Sequence, residues 1–60
     1  MTKKEEQELE LAINEVLAQQ WTVLAKSAES RGDTQKTLCR VLQANRYAKL
    51  ATDIRAEINN

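Results

Sequence analysis

The segment Glu29-Ser30-Arg31-Gly32-Asp33-Thr34 decides the fold. It holds the only glycine of a 60-residue chain that has no proline, so it is the one place where turn chemistry is spelled out. Gly32 can take the left-handed conformation that ends a helix, and Asp33 or Thr34 can cap the next one. A link this short returns the chain on itself, and the expected fold is an all-α antiparallel helical hairpin. The same residues spell Arg-Gly-Asp, the tripeptide that integrins read on extracellular proteins. Turn chemistry already accounts for each of the three residue types.

Upstream of this segment the pattern is helical. Leu9, Ile13, Val16, Gln20, Val23 and Ser27 follow alternating steps of four and three, and Leu17, Leu24 and Ala28 widen that stripe on one side. Lys4, Glu8, Glu15, Gln19, Thr22, Lys26 and Glu29 recur on the opposite face, interrupted by Leu11. Thr2, with Glu5 three residues on, has the spacing of a capping box. The acidic residues Glu5, Glu6, Glu8 and Glu10 then sit near the positive end of the helix dipole. A helix is expected from Lys3 to about Glu29, followed by a turn over residues 30–33.

Downstream, a helix is expected from about Asp33 to Ile58, with a less regular apolar face. Leu38, Val41 and Leu42 make one patch, while Ala44, Tyr47, Ala48, Ala51, Ile54 and Ile58 make a stripe rotated from it. Either one wide-faced helix meets two neighbours, or the helix breaks at Gln43-Ala44-Asn45. With no Gly or Pro at the junction, a single helix, bent near residues 43–45, is the preferred reading. The alanines of the later stripe permit close approach of another helix.

Composition narrows function by exclusion. The chain has no His and one Cys, so no soft-ligand metal site, internal disulfide or histidine base is expected. The single glycine leaves no phosphate-cradling loop. A non-enzymatic protein without catalytic residues, metal or cofactor is expected. No run approaches the roughly 18 to 20 apolar residues needed to span a bilayer. Met1-Thr2-Lys3-Lys4-Glu5-Glu6 runs into acidic residues rather than an apolar signal region. A cytoplasmic chain without membrane association is therefore expected.

Size argues for a partner. Two helices of about 27 residues are rods of about 40 Å that touch along one seam, which leaves much of each apolar stripe wet. A homodimer forming a four-helix bundle would cover it, with core layers from Leu9, Ile13, Val16, Val23, Leu24, Leu38, Val41, Tyr47, Ala51 and Ile54. Gln20 and Ser27, polar at core spacing, would set register or lie at the rim.

The nine basic and nine acidic side chains cancel over the whole chain but not by halves. Residues 1–30 carry three basic and six acidic groups, net −3, and residues 31–60 carry the reverse, net +3. Contact between unlike helices is thereby favoured. The basic groups of the second helix do not line up for a nucleic-acid groove: Lys36 and Arg40 lie on one side, Arg46 and Lys49 on nearly the opposite one, and Arg55 elsewhere. The expected function is regulation or inhibition of another macromolecule through an exposed helix face, with Trp21, Tyr47, Arg46 and Lys49 as candidate partner-binding residues. Trp21 is expected to seal the rim of the bundle or to anchor that partner. Cys39 reads as a small, semi-buried apolar residue.

Several residues match a known pattern as they stand. Met1-Thr2-Lys3, Glu5, Leu9 and Ala12, then after a one-residue offset Gln19, Thr22, Leu24, Lys26 and Glu29, then Asp33, Gln35, Leu38, Cys39 and Leu42, cover most of residues 1–42. On these positions the chain resembles the Rop (repressor of primer) family of plasmid copy-number regulators. The resemblance implies an antiparallel four-helix dimer and an alternative function, RNA binding through the first helix. Of the family's RNA-contacting set, Lys3, Gln19 and Lys26 have counterparts. The family's aromatic falls on Glu15, and its asparagine lies where this chain has Glu10 or Leu11. Acidic groups on a phosphate-facing surface repel RNA, so the resemblance speaks for the fold more than for the activity. A host or element-encoded macromolecule, protein before RNA, is the expected partner, in the manner of phage or plasmid accessory proteins.

Overall fold

The computed structural model describes residues Met1 to Asn60. Helix α1 runs Lys3–Ser30 and helix α2 runs Thr34–Asn59, 28 and 26 residues respectively, and there are no strands. The two helices pack against each other as a hairpin. Helix α2 is continuous through Gln43-Ala44-Asn45.

Three of the four helix ends are closed by local chemistry. The Thr2 hydroxyl accepts the Glu5 N–H at 3.2 Å, and the Glu5 carboxylate accepts the Thr2 N–H at 3.0 Å, which satisfies two orphan donors reciprocally. At the turn, Gly32 has φ 76°, a conformation that costs other residues steric strain. Its N–H donates to the Glu29 carbonyl at 2.9 Å, and the Asp33 N–H donates to the Ala28 carbonyl at 3.0 Å. These are the paired bonds of a Schellman ending. Asp33 then opens α2, with its carboxylate accepting the Lys36 N–H at 3.0 Å and its carbonyl accepting the Thr37 hydroxyl at 2.7 Å. One tripeptide, Arg31-Gly32-Asp33, thus ends one helix and starts the other.

The seam is a heptad in which alanines alternate with larger residues. On α1 the seam positions Gln7, Leu11, Asn14, Ala18, Trp21, Ala25 and Ala28, all buried or half-buried, alternate by four and three. On α2 Asp33, Thr37, Arg40, Ala44, Tyr47, Ala51, Ile54 and Ile58 do the same. Three contacts bridge the helices: Gln7 Nε2 donates to Glu57 Oε2 at 3.4 Å, Arg40 Nη1 to the Leu24 carbonyl at 2.8 Å, and Arg55 Nη2 to Glu15 Oε2 at 2.8 Å. The first two fix the register. In both pairs the residue numbers sum to 64, which sets Trp21 about level with Ala44, and Ala18 with Tyr47. At these two levels a large side chain faces an alanine, as interdigitation requires.

This seam corrects the expected core. Only Ala25, Ala28, Ala44 and Ala51 are buried, and of these only Ala28 completely. Of the ten residues expected to form core layers, Tyr47, Ala51 and Ile54 lie on the seam, whereas Leu9, Ile13, Val16, Val23, Leu24, Leu38 and Val41 are all at least 40% exposed. The α1 stripe of large apolar residues sits about 140° around the helix from the seam, at about 100° per residue. Two helices share only one seam, and the alanine face allows their backbones to approach closely while Leu11, Trp21 and Tyr47 fill what remains. Leu11, which interrupts the polar face in sequence, is part of the packed face, and Trp21 is half-buried in the seam rather than at its rim. Cys39, expected to be semi-buried, is exposed, because it falls one position away from the Arg40 seam row. The result is an elongated body of 45 × 17 × 11 Å.

Candidate functional site

The four candidate partner-binding residues lie near the middle of the hairpin's length but not on one face, Trp21 and Tyr47 being in the seam and Arg46 and Lys49 on the outside of α2. Trp21 and Tyr47 are half-buried and lie about one helical turn apart along the seam by the register above. Arg46 and Lys49 are exposed, three residues apart on α2, a spacing that puts them on neighbouring positions of the helix surface. Trp21 also borders an open surface groove with Asp33, Gln35, Lys36, Cys39, Arg40 and Gln43. That groove is polar on the α2 side, and Arg40 is already engaged by the Leu24 carbonyl.

The candidate RNA-contacting residues are not brought together. Gln19 and Lys26 are seven residues apart and share one side of α1, whereas Lys3 lies about 160° around the helix from Gln19, at about 100° per residue. The separation of Lys3 from Gln19 along the axis is about 24 Å. All three are exposed. Beside Gln19 and Lys26 the α1 surface carries Glu15 and Glu29, and Glu15 is paired with Arg55.

Sequence reasoning placed the large apolar residues of α1 in the core, so it missed an apolar feature of the surface. Val16, Gln19, Gln20, Val23 and Leu24 line a shallow apolar depression on the outer side of α1. Leu9 and Ile13 extend it toward the N-terminus, 51% and 50% exposed. The signal that would have found it was available: Leu11 and the alanines at 18, 25 and 28 form a second heptad on α1, offset from the first.

No three His, Cys, Asp or Glu side chains are placed to hold a metal ion. No buried side-chain polar atom lacks a partner. Glu5 has its pKa lowered by the Thr2 backbone N–H and then by the Thr2 hydroxyl, a capping effect at the surface. No helix is long and apolar enough to cross a membrane. The chain matches no family model, no curated protein and no solved structure.

Proposed function

We propose that this chain is a small, non-enzymatic interaction protein of the cytoplasm, which associates with its own copies into a four-helix assembly and regulates or inhibits another macromolecule through an exposed helix face. One observation carries the reading. The hairpin buries only alanines, while nine large apolar side chains beyond Met1 remain at least 40% exposed, and contiguous exposed apolar surface on a small protein marks an association site. Arg46 and Lys49 supply the polar recognition surface on the outside of α2, away from Tyr47 on the seam, and a basic helix there suits an acidic protein partner. The alternative of RNA bound through Lys3, Gln19 and Lys26 draws no support from their placement.

The test is capture of binding partners by the tagged chain with and without nuclease, compared with an Arg46→Glu, Lys49→Glu variant of unchanged helicity. The expected result is one recovered protein that resists nuclease and is lost with the variant. Recovery of structured RNA in its place, with strong salt sensitivity, overturns the proposal.

A further inference from the structure

We infer that the outer apolar stripe of α1 is occupied by the same stripe of a second copy, the two α1 helices running antiparallel about a two-fold axis level with residue 18. The inference deepens the reading above, that the chain works by helix-face association, by naming the face and its occupant.

Surface area says how much is missing. A compact chain of 6.8 kDa exposes about 4,000 Å², and this hairpin exposes 4721 Å². The excess is about 700 Å² per copy. Two copies therefore hold about 1,400 Å² of surface in excess, within the range of about 1,200 to 2,000 Å² that stable protein interfaces bury.

The stripe is self-complementary when reversed. Leu9, Ile13, Val16, Gln20, Val23 and Ser27 keep the four-and-three spacing of a helix–helix seam. Antiparallel pairing about residue 18 sets Val16 against the partner's Gln20, Ile13 against the partner's Val23, and Leu9 against the partner's Ser27. Every layer then occurs twice, as a two-fold contact demands. Leu17, half-buried beside the stripe, falls close to the axis.

Both α1 helices carry net −3, so charge opposes this choice of partner, against the preference for unlike helices read from the sequence, and apolar burial has to outweigh it. Charge still selects the direction. A parallel pair would lay the acidic runs Glu5, Glu6, Glu8 and Glu10 of both copies side by side, and would align the two helix dipoles. Reversal separates those runs by the length of the stripe and carries Lys26 toward the partner's acidic end. Because stripe and seam are about 140° apart around α1 by the 100° step, the four helices lie in a layer ordered α2, α1, α1, α2. The Arg46 and Lys49 surfaces are left free at its two edges.

Sedimentation across a concentration series, with three single variants, tests the face. Wild type is expected to dimerise. Gln20→Leu, which adds one apolar side chain per copy beside the axis, tightens the dimer about tenfold or more. Val16→Lys loosens it at least as much, and Leu42→Lys on α2 leaves it unchanged. A nitroxide at Lys4→Cys in a Cys39→Ser background reads direction without disturbing the stripe. The expected separation is about 40 Å, against under about 20 Å for a parallel pair. A folded monomer at every concentration, loss of the dimer in Leu42→Lys but not in Val16→Lys, or the short distance overturns the inference. A monomer at every concentration also removes self-association from the functional reading, whereas a dimer through another face, with partner capture still dependent on Arg46 and Lys49, leaves that reading standing and only this assignment falls.

Discussion

Helix α1 presents two apolar faces, and they differ in what they touch. The inner face carries Leu11, Ala18, Trp21, Ala25 and Ala28 and is closed against α2. The outer face carries Leu9, Ile13, Val16 and Val23, bulkier and more regular in spacing, and stands in water at 50 to 65% exposure. The difference teaches that hydrophobicity alone does not choose a packing partner. Alanine faces let two backbones come close enough for dispersion and shape to act along the whole seam, whereas branched side chains hold a neighbour away and leave gaps unless it interdigitates with them.

The sharpest way to break this comparison is to enlarge the inner face. Ala28 is wholly buried, so Ala28→Leu is expected to lower hairpin stability by about 1–3 kcal/mol through overpacking. The larger change Val23→Lys on the outer face should cost the isolated hairpin far less. Urea denaturation at low protein concentration compares the two, and equal losses would mean that the faces are not distinct.

The hinge between the faces is next in size. At Gly32 an added Cβ meets nothing within 4 Å, so Gly32→Ala costs only the strain of φ 76°, about 1 kcal/mol or somewhat more. Thermal unfolding reads it, and a neutral result would show that the turn relaxes to another conformation.

A smaller effect belongs to the polar edge of the seam. The Arg55–Glu15 pair is short at 2.8 Å but both side chains are exposed, at 57% and 44%. Glu15→Gln is therefore expected to cost less than about 1 kcal/mol, and the cost should shrink with added salt. A larger, salt-independent loss would give that edge a share of the seam's energy.

Smallest is the acid response of the N-terminus. Because folding lowers the Glu5 pKa, its contribution is present above the unfolded carboxylate value, about 4.3, and is lost as pH falls through the folded value. Amide exchange over residues 3–6, taken relative to the intrinsic rate at each pH, should accelerate in that acid range while the seam amides stay protected. Uniform acceleration would tie the cap to the whole hairpin.

The turn was legible because each of its residues acts locally. Gly32 for a positive φ, Asp33 for a cap and Thr2 with Glu5 for a capping box are chemical statements about three or four neighbours, and the structure realises each. The seam face of α2 was legible in part: Ala44, Tyr47, Ala51, Ile54 and Ile58 lie on it, whereas Ala48, read into the same stripe, is exposed. On α1 two rows compete, and periodicity ranks them by hydrophobicity rather than by fit. Leu11 looked like an interruption of a polar face because the alanines beside it carry little weight in such a ranking. The same error put Trp21 at a rim and Cys39 half inside.

The sequence by itself determined an all-helical hairpin, its turn and its caps, because those follow from backbone conformation and hydrogen bonds within a few residues. Only the tertiary structure decided which face of α1 meets α2 and which candidate residues share a surface. That choice depends on how two shaped surfaces fit when brought together, and shape complementarity is a property of the pair, not of either helix's pattern.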